Sequence, residues 1–353
     1  MSQSLTHTTS EPRRRALLII NPISGVSGKD GLADHVTTTL SPCGWDITVA
    51  YTTCHGDATR LGKRAVAEGY DAVIAAGGDG TVNETAAALC HSGVALGILP
   101  CGSGNGLARH LGIPVDVDDA LRIIANGKSI DSDYATVNGL PFFCTFGVGF
   151  DAEVSERFAR QHRRGKLSYI RSAIAEYIRY RPQIYTIRTS GRVMTERAFL
   201  VAVCNASQYG NNAYIAPHAS LTDGLLDITV IHAGTPLNTV IAGADIMTGM
   251  IDRNATIDVL RAPEITIERA ADGPAHIDGE PVHIDNRIEI KCHHAALKVF
   301  TPDEDEANRH FYPILTPMAD SLRDMLVTMR HLWPASFHHP LHDRFNHLRH
   351  HKD

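Results

Sequence analysis

The stretch that decides the fold is YDAVIAAGGDGTVNE, Tyr70–Glu84. DAVIAA, residues 71–76, reads as a short strand whose apolar run leaves no polar face, so it is buried on both sides. It runs into Gly77-Gly78-Asp79-Gly80-Thr81, and TVNETAAALCHSG after it reads as a helix. Only backbone amides and small side chains surround the carboxylate of Asp79 at that strand end. Two readings stay open from the residues. Asp79 faces a cation held by a bound phosphate group, or takes a proton from a hydroxyl. Alternatively it caps the following helix, a role for which Thr81 is a comparable candidate.

The same pattern repeats on both sides. ALLII (16–20) leads into the glycine loop NPISGVSG (21–28) and a helix from about Leu32. WDITVAYT (45–52) is followed by the helical GDATRLGKRAVAEG (56–69), and VALGILP (94–100) by CGSGNG and the short helix LARHLG. Apolar strands alternating with helices predict an α/β fold with a doubly wound parallel sheet over residues 14–130. Three loops, NPISG, GGDGT and CGSGN, then leave the carboxyl edge of that sheet, where such folds bind ligands. Glycines there let backbone amides approach an anion, with the start of a helix behind them, and phosphate is the natural guest. The P-loop pattern is absent, and the glycines at 102, 104 and 106 do not fit the dinucleotide fingerprint. ITVAYTT ends in threonines without the acidic residue that grips a ribose, which disfavours hydride chemistry on a nicotinamide.

Near residue 130 the pattern changes. YATVNGLPFFCTF (134–146) places Asn-Gly between two apolar runs, a strong hairpin signal. QIYTIRTSGRVMTERAFLVAVCNA (183–206) reads as another antiparallel pair, and LLDITVIHA, ATIDVLRA, EITIERA and RIEIKCH follow. Helical insertions are expected at 152–180 and 236–250. A second, mainly antiparallel β domain is therefore expected over 131–300. The extension 301–353 holds PILTPMADSLRDMLVTMRHLW, whose spacing predicts an amphipathic helix, and then a histidine-rich tail. That helix is suited to packing on the domain, docking on a membrane or pairing with a second chain as a homodimer.

Composition narrows the function classes. The 353 residues are 43% hydrophobic and 20% charged, an ordinary globular balance, and a length at which two domains are expected. A net charge of -6 argues against a nucleic-acid footprint. The seven cysteines are scattered with no C-x-x-C pair, which argues against a disulfide framework or a zinc site. The apolar run Ala16–Ile20 after Arg13-Arg14-Arg15 is too short for a signal core or a membrane span, and a cytoplasmic protein is expected. Arg157, Arg160, Arg163, Arg164, Lys166 and Arg171 form a basic cluster. It reads as a solvated helix face or as a surface that docks on anionic headgroups at the inner membrane face.

NPISG, GGDGTVNE, LGILPCGSGNGLARHLGIP, GFDAEV, LTDGLLDI and IDGEP occur in an order that resembles the diacylglycerol kinase catalytic-domain superfamily, across about residues 14–300. That group includes bacterial lipid kinases, sphingosine kinases and ceramide kinases. The resemblance implies transfer of the ATP γ-phosphoryl group to a lipid hydroxyl with Mg²⁺, in the cleft between a nucleotide domain and a β-rich lipid domain. The matching nucleotide positions are Asn21, Pro22, Ile23, Ser24, Gly25, Thr52, Gly77, Gly78, Asp79, Gly80, Thr81, Val82, Asn83 and Ser103. Glu280 matches the family's proton acceptor, and Asp79 is the second carboxylate expected in the cleft. SLTDGL matches a structural Mg²⁺ site, with Asp223 and backbone oxygens at Ser220 and Leu225 as ligands. One departure is Gly106, where many diacylglycerol kinases carry Asp, so the identity of the lipid stays open. GGDGT also occurs in NAD kinases, so a soluble-substrate kinase of that type is one rival reading. A catalytically inactive nucleotide- or lipid-binding regulator is the other.

Overall fold

The structure is a computed structural model that describes residues 13–24, 31–159, 180–210 and 213–303. Gly25, most of the basic cluster from Arg160 onward and the extension beyond Asp303 lie outside the described residues.

The first four strands are β1 (Arg14–Ile20), β2 (Trp45–Tyr51), β3 (Ala72–Gly77) and β4 (Ala95–Pro100). They pair in parallel in the order β2-β1-β3-β4. β3 and β4 are buried along their whole length, which matches their apolar sequences. Leu17, Leu18, Ile19, Val73, Ile74, Leu96, Ile98 and Leu99 are almost fully buried. Each such side chain stabilises the fold by roughly 1.5–3 kcal/mol.

Right-handed crossovers set the layers. The step from β1 to β2 runs one way along the sheet, so α1 (Leu32–Leu40) lies on one face. The steps to β3 and β4 run the other way and put α2 (Asp57–Ala67) and α3 (Asp79–Leu89) together on the opposite face. The chain reverses direction between β1 and β3, which makes the loops after these two strands the switch point of the sheet. After α4 (Gly106–His110), α5 (Val117–Asn126) returns to pack on α1. Asp116 caps α5 by accepting from the amides of Asp118 and Asp119, and Gly127 ends it. This helix is absent from the sequence reading above, which passes over Asp116 and Gly127 at its two ends.

The remaining strands are antiparallel. β5 (Ser129–Val137) and β6 (Leu140–Phe142) form the Asn138-Gly139 hairpin, both turn residues having positive φ. Then come β7 (Thr145–Gly149), α6 (Phe150–Ala159), β8 (Gln183–Thr189), β9 (Val193–Cys204), β10 (Leu226–His232) and α7 (Pro236–Thr248). β11 (Ile257–Ala262), β12 (Glu264–Arg269), β13 (Gly273–Ile277), β14 (Glu280–Ile284) and β15 (Arg287–Phe300) complete the chain. A second core forms here from Phe142, Phe146, Ile187, Val203, Ile228, Ile267 and Ile288. β15 joins the two parts. It pairs with β12 and β5, and at Val299 it adds in parallel to Leu96 at the edge of the first sheet. Among the described residues no helix is long and apolar enough to cross a membrane.

The α2–α3 contact is tight. A Cβ on Gly62 would lie 2.7 Å from the Ala88 Cβ, which has no flexible end to swing away. Replacing Gly62 with Ala should gain up to about 1 kcal/mol of helix propensity, but overpacking should remove about 1–3 kcal/mol. A net loss of stability is therefore expected in urea unfolding of Gly62→Ala, and a stabilised variant would contradict the contact.

Candidate active site

Four polar side chains of α3, those of Asp79, Thr81, Asn83 and Glu84, each reach a different segment. Asn21 Nδ2 donates to Thr81 Oγ1 at 3.0 Å, and the Ile23 amide donates to Asn21 Oδ1 at 3.1 Å. The loop after β1 is thereby folded against the first turn of α3. Asp79 crosses to the loop after β4: its Oδ2 accepts from the Asn105 amide at 2.8 Å and its Oδ1 from the Gly106 amide at 2.7 Å. Glu84 accepts from the amides of Gly56 and Ala58 at 2.9 and 3.1 Å, and so satisfies the start of α2. Asn83 Nδ2 donates to Asp278 Oδ2 at 2.9 Å, across 195 residues of sequence.

Asp79 is thus a cap, but of a neighbouring helix rather than its own. Its reach explains the glycines around it. A Cβ on Gly104 would lie 2.7 Å from Asp79 Oδ2, and one on Gly102 would lie 2.7 Å from the Gly78 Cα. The two loops touch, and side chains would push them apart. An ionised carboxylate has about four acceptor positions, so the two amide bonds leave Asp79 able to face a cation as well.

The Asp278-Gly279 turn joins β13 to β14, both residues having positive φ as a tight hairpin requires. Asp278 is buried in hydrogen bonds: besides Asn83 it accepts from the amides of Phe143, Cys144 and Thr145 at 2.9, 2.8 and 2.8 Å. Burial pushes its carboxyl up to about 6, against the pull of those amides and with the help of the nearby negative Asp79. Behind the turn, His276 Nε2 meets Asp151 Oδ2 at 3.0 Å, and the Tyr209 hydroxyl donates to the same oxygen at 2.8 Å. Next to the turn, Glu280 opens β14, exposed, with Oε1 3.3 Å from where a Cβ on Gly80 would stand. A carboxylate of the β-rich part therefore faces the first turn of α3.

The structure brings Asn21, Gly77 to Asn83, the Gly102–Gly106 loop and Glu280 to one place. Ile23 is 89% exposed at its rim, and Ser103 is exposed between its two glycines. Thr52 is buried where β2 ends, its amide donating to the Ile20 carbonyl. Val82 is buried in the core, so its side chain does not line the loops. Asp223 stands in the turn before β10, where its carboxylate is taken by the Arg261 guanidinium and by the Leu225 amide. Among the described residues no group of three or more His, Cys, Asp or Glu side chains is arranged to hold a metal ion.

Several residues of this arrangement escape a sequence reading. Asn105 and Gly106 contribute amides, which no side chain reports. Asp278 carried the signal of an ordinary Asp-Gly turn. His110, in LARHLG, accepts the Ser207 amide at Nδ1 (3.0 Å), and burial pushes it down to about 4, so α4 is tied to the loop after β9 by a neutral imidazole.

Two family models match neighbouring parts of the chain. One is the diacylglycerol kinase catalytic domain, over residues 15–137. The other is the YegS C-terminal NAD kinase beta sandwich-like domain, over residues 144–301. Among curated relatives, a "Probable lipid kinase YegS" of Escherichia fergusonii is 30% identical over 304 residues, 82% of this chain and 96% of the relative. The "Diacylglycerol kinase" of Bacillus subtilis (strain 168) is 31% identical over 226 residues, 62% of this chain and 74% of the relative. A crystal structure of a diacylglycerol kinase from Bacillus anthracis str. Sterne has a TM-score of 0.65 at 21% identity, covering 83% of this chain and 98% of that one, which shows the shared fold.

Asp278 makes stability depend on pH. Its folded value, about 6, lies above the ordinary 3.8, so the native state binds more protons between the two values. The contribution is present at low pH and lost as pH rises through about 6. The stability margin of the wild type over Asp278→Asn, which cannot titrate there, should be larger at pH 5 than at pH 7 by about 1.4 kcal/mol. Urea unfolding of both proteins at the two pH values checks this, and an unchanged margin would contradict it.

Proposed function

Since this chain belongs to the diacylglycerol kinase family of ATP-dependent lipid kinases, we propose that it phosphorylates the hydroxyl of a diacylglycerol or sphingoid-like membrane lipid, with ATP bound as its magnesium complex. The observation that carries this reading is the placement of Glu280. The Asn83–Asp278 hydrogen bond ties its hairpin to α3, so that a carboxylate from the β-rich part faces loops bared of side chains.

In this reading residues 14–130 hold the nucleotide and 131–300 the lipid. The phosphates lie among the loops of Asn21 to Gly25, Gly77 to Asn83 and Ser103, at the positive end of α3. Thr52 borders the nucleoside side. Val82 packs the start of α3 onto the core behind those loops. Asp79 holds the loop after β4 in place and turns its remaining lone pairs toward the magnesium. That ion, when bound, neutralises charge developing on the phosphate oxygens. Glu280 takes the proton from the lipid hydroxyl as that oxygen bonds to the γ-phosphorus. The bond from the γ-phosphorus to the oxygen it shares with the β-phosphate breaks, and ADP leaves. The substrate resides in a membrane, so the enzyme works in the cytoplasm at the inner membrane surface, with the basic cluster around Arg157 as its contact with anionic headgroups. A soluble acceptor of the NAD type is the second reading, favoured by the NAD kinase-like description of the C-terminal match.

Radiolabelled ATP offered with diacylglycerol, sphingosine, ceramide, phosphatidylglycerol and NAD separates these readings. Label should enter a lipid, and Glu280→Gln should lower kcat by at least about 100-fold with ATP affinity unchanged. Label in NAD alone would favour the second reading. Wild-type turnover by Glu280→Gln would remove Glu280 from its role.

A further inference from the structure

Asp227 and Arg261 are direct partners across the antiparallel pair β10–β11. Asp227 is only 2% exposed, and a carboxylate buried that deeply needs a compensating cation. Arg261 supplies it, with Nε 3.3 Å from Asp227 Oδ2. The same guanidinium reaches past the strand end and its terminal nitrogen pairs with Asp223 Oδ2. One planar fork therefore bridges the carboxylate of the SLTDGL turn and the buried carboxylate of the strand that follows it.

The rest of the turn is held by protein groups too. Asp223 Oδ1 accepts the Leu225 amide at 3.1 Å, and Ser220 Oγ accepts the Thr222 amide at 3.3 Å. The buried Asp133 accepts the Gly224 amide at 2.7 Å and donates its own amide to the Leu221 carbonyl at 2.6 Å. Asp133 is fixed in turn by His294 Nδ1 and the Ala295 amide, at 2.8 and 2.7 Å. A magnesium ion in this turn would gather backbone oxygens around Asp223 and neutralise it. Magnesium demands ligands at about 2.0–2.1 Å in a near-octahedral shell. Leu225 holds one oxygen of Asp223, and on the other the guanidinium already supplies the positive charge that the ion would bring, so two cations would compete for one carboxylate.

We propose that Arg261 is a built-in cation that replaces a structural metal ion in this turn, and that taking away its charge leaves Asp223 and Asp227 to recruit a divalent cation. The proposal concerns the fold and does not depend on which substrate the enzyme phosphorylates.

The test needs no nucleotide. Thermal unfolding of the full chain is followed in EDTA and in millimolar Mg²⁺, and Mn²⁺ binding is followed by electron paramagnetic resonance. For the wild type the melting temperature should be the same in both buffers, and no Mn²⁺ should bind that Asp223→Asn removes. Arg261→Gln should melt about 5 °C lower in EDTA, recover at least half of that loss in Mg²⁺, and bind one Mn²⁺ that Asp223→Asn abolishes. Mn²⁺ bound to the wild type and released by Asp223→Asn would overturn the proposal. So would an Arg261→Gln variant as stable as the wild type, or one whose loss Mg²⁺ does not recover. The wild-type measurement stands even where Arg261→Gln fails to fold.

Discussion

The structure depends on the anchoring of four loops by one helix. Asp79, Thr81, Asn83 and Glu84 lie within two turns of α3, and each ends on a different segment: the loop after β4, the loop after β1, the Asp278 turn and the start of α2. Loops of this kind are rich in glycine and have little apolar surface to bury. Their order must come from hydrogen bonds. A charge-assisted bond to a backbone amide stabilises by about 1.5–3 kcal/mol, enough to choose one loop conformation among many. The carboxylate that opened the question is therefore used first to build the site, whatever it does when substrate arrives.

The same economy joins the two halves of the chain. β15 lends its last residues to the first sheet, and Asn83 holds the β13–β14 turn. The four donors around Asp278 fix its position and favour its charged form, and burial outweighs them in raising its proton affinity. Glu280, one residue beyond Gly279, inherits that rigidity at its backbone while its side chain stays exposed. A carboxylate set on a hairpin tied to α3, next to the glycine-rich loops, is an arrangement suited to meeting a group that arrives from outside the first sheet.

Much of the fold was legible because it is written in periodicity. β1, β3 and β4 are apolar runs followed by glycine, and the Asn138-Gly139 hairpin follows from turn chemistry alone. β14 was not legible: EPVHI holds a proline and alternates weakly, and it forms because β13 offers it a partner. The site was legible in its motifs but not in its bonds. That Asp79 serves the amides of Asn105 and Gly106, or that Asn83 answers Asp278 across 195 residues, depends on distances that only the folded chain sets. Arg261 carried no sequence signal at all, since its meaning lies in facing Asp227 across β10 and β11.

The central claim is that α3 gathers three glycine-rich loops around one shared polyphosphate. Hydrogen–deuterium exchange during a titration with MgATP tests it most directly. The amides of Asn21, Ile23 and Ser24, of residues 77–83 and of residues 101–106 should slow together, with one apparent Kd. Slowing in one of these segments while the other two exchange as before would contradict it.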